Sequence, residues 1–272
     1  MPKERLDVLL TERGLAESRS LAQRLIMAGQ VRVDGQLVTK PAMKFEKTAA
    51  LALDHGPRYV SRGGEKLEAA LVAFDLTELG GRTCVDVGAS TGGFTDCLLQ
   101  HGAGKVFAVD VGYGELHWKL RTDPRVVVME RTNARYVEGF SEPVSLATID
   151  ASFISLKVLL PVVKGWFPSG GQIVALIKPQ FEAGKSEVSR GSGVISDTQI
   201  HRRVLREVLE FAAEMGFTVQ GLIRSPLKGP KGNTEFLVHL LVGEDAPLDP
   251  NRITALIEGA MAPEDSEVGA GE

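Results

Sequence analysis

From about residue 58 onward, short β-rich runs alternate with helical stretches, and that rhythm admits few folds. Runs at 83–87, 105–110, 126–129, 145–149 and 171–177 read as strands, with helices expected at about 64–74, 92–101, 115–121, 155–164 and 198–215. Such alternation predicts a doubly wound, mainly parallel α/β sheet with helices on its faces. Two later runs, 217–224 and 234–242, are joined by a Gly/Pro-rich connection with no helix, so they are expected to pair antiparallel. The prediction is a Rossmann-like, seven-stranded sheet: five parallel strands closed by an antiparallel pair.

Residues 1–55 follow another pattern. Leu6, Leu9 and Leu10, then Leu21, Leu25 and Ile26, recur at helical spacing on either side of Gly14, with Ser18 placed to cap the second helix. Past Gly29 the period becomes two in Val31-Arg32-Val33, and Asp34-Gly35 signals a hairpin turn before Leu37-Val38. The result is a small α+β module. The order Arg5-Leu6-Asp7, Ser18-Arg19 and Gly29-x-Val31-x-Val33-x-Gly35 resembles the RNA-binding domain first known from small-subunit ribosomal protein S-four. That resemblance implies helices that offer basic side chains to an RNA backbone, with Arg5, Arg19, Arg24, Lys40 and Lys44 as candidates. Phosphate contacts of this kind position a protein without reading bases.

Charge supports a division of labour. The net charge of −4 looks unsuited to nucleic acid, yet residues 1–66 hold 12 Lys/Arg against 8 Asp/Glu, while residues 244–272 hold one Arg against eight acids. Residues 244–272 are therefore read as an acidic tail. Residues 48–60 lose periodicity around Asp54-His55-Gly56-Pro57 and read as a linker, with the boundary placed at 56–63 and the second domain at 64–243.

The segment Val85-Asp86-Val87-Gly88-Ala89-Ser90-Thr91-Gly92-Gly93-Phe94 joins the first strand of the large sheet to the helix after it. Glycine in such a turn lets backbone approach a ligand closely, and the helix N-terminus supplies oriented N–H groups. A dinucleotide site asks for Gly-x-Gly-x-x-Gly; the spacing here is Gly-x-x-x-Gly-Gly with Asp86 two residues ahead, which disfavours NAD. The pattern is similar to the S-adenosylmethionine loop, whose ligand has a cationic sulfonium and no pyrophosphate, so a nearby acid is electrostatically sensible. Asp110, 22 residues after Gly88 and at the end of the second strand, is placed to accept hydrogen bonds from ribose hydroxyls, the alternative being a turn or capping aspartate. Asn133 is a candidate for the adenine edge, though Asn is common in turns. Asp150, ending the fourth strand, would border the reacting methyl. Asp86, Gly88, Ala89, Ser90, Thr91, Gly92, Gly93, Phe94, Asp110, Asn133 and Asp150 form the candidate cofactor set.

Lys66, Asp150, Lys178 and Glu235 each fall near the end of an element that points to one edge of the sheet. In this order they resemble the Lys-Asp-Lys-Glu tetrad of FtsJ-type ribose methyltransferases, over residues 58–242. With the front module included, the chain resembles the TlyA family, known both as haemolysins and as ribosomal RNA 2′-O-methyltransferases of cytidine. The resemblance implies a ribosomal RNA or ribosomal-subunit partner. It also implies Lys178 as the residue nearest the attacked hydroxyl, Asp150 and Lys66 as steering partners, and Glu235 as a supporting acceptor. The chemistry asks for such groups: a ribose hydroxyl is a poor nucleophile that benefits from a nearby base, and transfer is an in-line displacement governed by positioning.

After Asp150 the chain runs Ala-Ser-Phe-Ile-Ser-Leu, without the Met-Ala-Pro usual in FtsJ itself, and without the Asn/Asp-Pro-Pro-aromatic of many amine methyltransferases. Residues 182–197 read as a Gly/Ser-rich connection. Lys185 and Arg190 from it, with Arg62, Arg224, Lys228 and Lys231, are candidates for an RNA path, the alternative being a solvated loop.

Several classes fall away. No apolar run approaches the roughly 20 residues needed to cross a bilayer, and residues 1–20 are charged rather than signal-like, so a cytoplasmic protein without membrane partners is expected. Cys84 and Cys97 have no zinc-ligand spacing around them and read as buried thiols with no metal. A membrane-active haemolysin finds no support in the pattern. An RNA-binding regulator with an inactive methyltransferase fold is the alternative to an enzyme. A pseudouridine synthase is disfavoured because Asp7 lies in the wrong domain to be its catalytic acid.

Overall fold

The computed structural model describes residues 3–54, 56–243 and 249–263. The chain divides into two compact units, Met1–Arg58 and Tyr59–Glu272.

In the first unit, helices α1 (Leu6–Glu12) and α2 (Arg19–Met27) bury Leu6, Leu10, Ala22 and Ile26 against Val31 and Val33. Ser18 Oγ accepts from the Leu21 N–H at 3.2 Å and so starts α2. The hairpin turn between β2 (Val31–Val33) and β3 (Gln36–Leu37) has positive φ at both Asp34 and Gly35, as a tight right-twisted hairpin requires. Three strands went unread in the sequence: β1 (Lys3–Arg5) pairs antiparallel with β4 (Lys44–Glu46), and β5 (Leu51–Leu53) pairs with β2. Part of the supposed 48–60 linker is therefore a strand. Three residues are too few to show an alternating period, which is why pattern missed them.

The second unit opens with α3 (Gly63–Ala73) and is built on one seven-stranded sheet: β6 (Thr83–Val87), β7 (Lys105–Val109), β8 (Val126–Met129), β9 (Leu146–Ile149), β10 (Gly171–Ile177), β11 (Phe217–Arg224) and β12 (Phe236–Val242). The spatial order is β11-β12-β10-β9-β6-β7-β8. The order reverses at β6, so the chain leaves β6 and β9 on either side of a crevice at the C-terminal edge, the usual place for a ligand in an open α/β sheet. Only β12 runs against its neighbours, inserted between β10 and β11. Two apolar layers sandwich the sheet. One gathers Val85, Val87, Ile149, Ile173 and Ile177 beneath α6 (Leu156–Lys164) and α9 (Thr198–Glu214); the other gathers Cys84, Val106, Val174 and Leu237 beneath α3 and α4 (Gly93–Gln100).

The expected helix at 115–121 shortens to α5 (Trp118–Arg121), and the 182–197 connection contains two short helices' worth of structure, α7 (Pro179–Glu182) running into it and α8 (Lys185–Arg190) within it. The reading of 244–272 as a tail is corrected over 250–261. There α10 (Pro250–Met261) starts at an Asp249 cap and buries Ile253, Ile257, Ala260 and Met261 against β11 and α9. The acid count of the whole stretch concealed this i, i+4 apolar stripe. Residues 264–272 lie outside the described residues.

Candidate active site

Three cavities open at the C-terminal edge of the large sheet and share walls. The first, of about 580 Å³, is lined by Gly88, Ser90, Asp110, Glu115, Asn133 and Asp150 among others. The second, of about 470 Å³, takes Arg62, Lys66, Ala89, Ser90, Thr91, Gly93 and Phe94, and again Gly88 and Asp150. The third, of about 820 Å³, includes Lys178 and Glu235 and shares Ser152 and Phe153 with the first and Pro230 with the second. Asp150 stands where the first two meet.

The loop after β6 is shaped first by the chain's own packing. Gly88 has φ +83°, and a Cβ there would lie 2.6 Å from the Asp150 carbonyl oxygen. Only glycine lets this turn pass the end of β9 so closely. Gly92, at φ +99° before α4, would meet Leu120 Cδ1 at 2.2 Å. Asp110 ends β7 with its carboxylate held by two backbone amides: Ser90 N–H donates to Oδ2 and Gly112 N–H to Oδ1, both at 2.7 Å. That fixes its orientation and leaves each oxygen a second lone pair. Asn133 lines the same cavity, but its Oδ1 accepts from the Arg135 N–H at 3.1 Å and caps a short 3-10 helix, so only its amide nitrogen is uncommitted by that bond.

Asp86 is the loop residue that the structure places elsewhere. It lines none of the three cavities; its side chain turns to the α4 face of the sheet, wholly buried, where Thr95 Oγ1 donates to one oxygen at 2.7 Å and Thr148 Oγ1 to the other at 3.1 Å. The reason is strand alternation: Val85 and Val87 take the opposite face. Burial pushes this carboxyl up from its ordinary 3.8 to about 7. Between about pH 4 and pH 7 the unfolded chain then loses a proton that the folded chain keeps, so stability should fall as pH rises through that window and level off above it. Chemical denaturation of wild type and Asp86→Asn at pH 4 and pH 8 checks this. The wild type is expected to lose up to about 4 kcal/mol more than the variant, and equal losses would reject the account.

The four residues of the tetrad form two ion pairs. Lys66, on α3, places Nζ 2.6 Å from Glu235 Oε2, with both side chains buried. Lys178 follows β10 and places Nζ 2.6 Å from Asp150 Oδ1, while donating to Ser152 Oγ at 3.1 Å. Sheet register explains the convergence. Ile177 faces Phe236 across the antiparallel ladder, so the next position brings Lys178 beside Glu235; Ala175 is level with Ile149 on the parallel side, which sets Asp150 next to β10.

In the first unit, Arg5 and Arg19 converge on Asp7, which is fully buried. Arg5 Nε and Nη2 donate to its two oxygens at 3.0 Å, and Arg19 Nε donates at 2.9 Å. These bonds hold the Asp7 carboxyl far below the usual carboxylate range, led by that from Arg5. Lys44 faces Arg5 across the β1–β4 ladder, and Arg24 and Lys40 are exposed. Arg62 is exposed, donates to the Lys228 carbonyl at 2.8 Å and lines the second cavity; Lys231 lines the third. Arg224 is removed from the RNA path: its Nη2 donates to the Met261 carbonyl at 3.0 Å at the end of α10, and its Nε is buried. The side chains of Lys185 and Arg190 lie outside what is described. Cys84 and Cys97 are buried free thiols. Among the described residues no cluster could hold a metal ion, and no helix is long and apolar enough to cross a membrane.

Sequence reasoning missed Glu115, which accepts from Ser90 Oγ at 3.1 Å, and Ser152, which accepts from Lys178. It also passed over Phe153. This residue has φ +63°, is 91% exposed, packs 5.0 Å from Phe181 and forms a wall common to two cavities. The available signal was an aromatic three residues past a strand-ending acid.

Residues 59–241 match the FtsJ-like methyltransferase family and residues 4–49 match the S4 domain. A Mycobacterium tuberculosis protein named 16S/23S rRNA (cytidine-2'-O)-methyltransferase TlyA is 46% identical over 264 residues, covering 96% of this chain and 98% of that protein. Hemolysin A of Brachyspira hyodysenteriae is 43% identical over 88% of this chain and 100% of its own length. A solved structure from Streptococcus thermophilus, described as a hemolysin, superposes with a TM-score of 0.70 at 47% identity over 96% of each chain. With both domains matched in order and identity this high over almost the whole length, the chain belongs to the FtsJ-like methyltransferases, in the TlyA group that carries an S4 domain in front.

Proposed function

We propose that this protein transfers the methyl group of S-adenosylmethionine to a ribose 2′-hydroxyl of a cytidine in ribosomal RNA. The observation that carries this reading is that each ion pair bridges cavities: Asp150 lines the first two and its partner Lys178 the third, while Lys66 lines the second and its partner Glu235 the third. A buried pair such as Lys66–Glu235 is a poor way to stabilise a fold, since desolvation offsets much of its attraction, and the half-buried Asp150 beside Lys178 gains little more. Their place at a cleft of ligand size favours a chemical role.

The first cavity fits the cofactor. Asp110 offers an oriented carboxylate to a ribose diol, and Asp110, Glu115 and Asp150 together make a wall suited to a cationic ligand. When bound, S-adenosylmethionine supplies an electrophilic methyl on a positively charged sulfur. The protein's own part is to seat the hydroxyl and take its proton. Lys178 Nζ, held by Asp150 and Ser152, stands as the group that takes that proton. Glu235 holds Lys66 in place, and Lys66 adds positive charge at the border of the second cavity. Most of the acceleration then comes from alignment.

The test is mass spectrometry of nuclease-digested ribosomal RNA after incubation with the protein and S-adenosylmethionine. A methyl on cytidine ribose is expected; no transfer would favour a regulatory RNA-binding protein, and a methyl on the base would reject the mechanism. Asp110→Ala should weaken cofactor binding by about 1.5–3 kcal/mol in calorimetry, and unchanged affinity would remove Asp110 from the site. In the front unit, Arg19→Ala should reduce RNA affinity and lower the slope of log affinity against log salt by about 0.7–0.9. An unchanged slope would show that Arg19 touches no phosphate.

A further inference from the structure

One residue on the wall of the third cavity carries a polar atom that the transfer chemistry leaves unused. Most of the polar side chains on its wall are committed within the protein: Lys178 to Asp150 and Ser152, Ser155 to Glu182, Ser189 to the Ser186 carbonyl, and Asn233 to Gly193 and Ile195. Gln180, on α7 two residues after Lys178, lines the same wall, and its Oε1 is buried without a hydrogen-bond partner. A carboxamide oxygen only accepts. A buried acceptor without a donor is destabilising, and proteins rarely keep one without a use.

Resting on the function proposed above, we propose that Gln180 is a specificity residue whose carboxamide turns out of its buried position toward the cavity, so that Oε1 accepts a hydrogen bond from the exocyclic amine of the target cytosine. Phe153 and Phe181, whose ring centres lie 5.0 Å apart, give the cavity aromatic walls suited to a flat base. The hydroxyl that attacks faces Lys178, so the donor for Gln180 comes from the base edge. Cytosine presents an amine N–H at its C4 position, where uracil presents a carbonyl oxygen. The bond forms with the first and becomes acceptor against acceptor with the second.

Two RNAs make the test: one with cytidine at the position that wild-type protein methylates, and the same RNA with uridine there. Gln180→Met keeps length and volume and removes the acceptor. The expected result is a fall of at least about tenfold in kcat/KM on the cytidine RNA and little change on the uridine RNA, so that the ratio between them collapses, with melting temperature and cofactor affinity retained. An unchanged ratio, whether both rates hold or both fall together, would overturn the assignment, because a structural role for Gln180 would not distinguish the bases. The wild-type product separates this from the broader reading. If the wild-type methyl is not on a cytidine ribose, the proposed function fails; if it is, and the ratio survives in the variant, Gln180 alone fails.

Discussion

Lys178→Ala is expected to lower methyl transfer by about 10²–10⁴-fold, the usual contribution of a positioned general base. Cofactor affinity should hold, because Lys178 lines the third cavity and not the first. The fold should hold as well: the variant breaks the 2.6 Å contact with Asp150 but leaves the deeper Lys66–Glu235 pair intact. Lys178→Arg should fail to restore transfer, since a guanidinium keeps its positive charge but effectively never gives up its proton. Single-turnover rates with calorimetry on the same preparations decide the matter. Activity within threefold of wild type in the alanine variant, or substantial recovery with arginine, would refute the base role; recovery would assign Lys178 to charge steering.

A second large effect is expected from one methyl group at Gly88. Gly88→Ala places a Cβ 2.6 Å from the Asp150 carbonyl oxygen and 3.0 Å from its carbonyl carbon, at φ +83°. The neighbour is backbone, so no side-chain rotation relieves the clash, and the left-handed conformation adds its own penalty. Together these should cost about 2–4 kcal/mol. Since Asp150 holds Lys178 and borders two cavities, its displacement should also lower transfer by about 10²-fold. Gly92→Ala is the control. Its clash is with the terminal methyls of Leu120 and Leu116, which can shift, so it should lose stability while sparing most of the rate. If the two variants behave alike in denaturation and kinetics, the close passage at Asp150 has no special importance.

The large sheet was legible because most of its strands are largely apolar runs bounded by turn residues, and burial of the central ones on both faces leaves a mark. The tetrad was legible for a related reason: Asp150 and Lys178 follow directly on strand ends, and Glu235 directly precedes one. How the four pair was not legible. Lys178 with Asp150 and Lys66 with Glu235 depend on a ladder register that sets Ile177 against Phe236, and register is a property of two distant segments together. The facing of Asp86 was readable in principle from its place between Val85 and Val87, but the attraction of an acid beside a glycine loop outweighed it. The strands of the first unit and the apolar stripe of α10 were lost to brevity and to a misleading charge count, respectively. Phe153 left no periodic trace, being a single residue in an irregular loop.

The place of β12 in the sheet has a consequence for how the protein comes into being. Because β12 lies between β10 and β11, the strand synthesised last must be received into a gap flanked by strands made earlier, and Glu235 arrives only with it. A nascent chain can complete β6 through β9 and shape the crevice around Asp110 and Asp150 well before that. Until residues 236–242 have left the ribosome and paired, Lys66 is without its carboxylate and the third cavity is without one wall. Competence for transfer is thus coupled to the final closure of the sheet, and a polypeptide released early carries the front of the site without being able to act on the RNA around it.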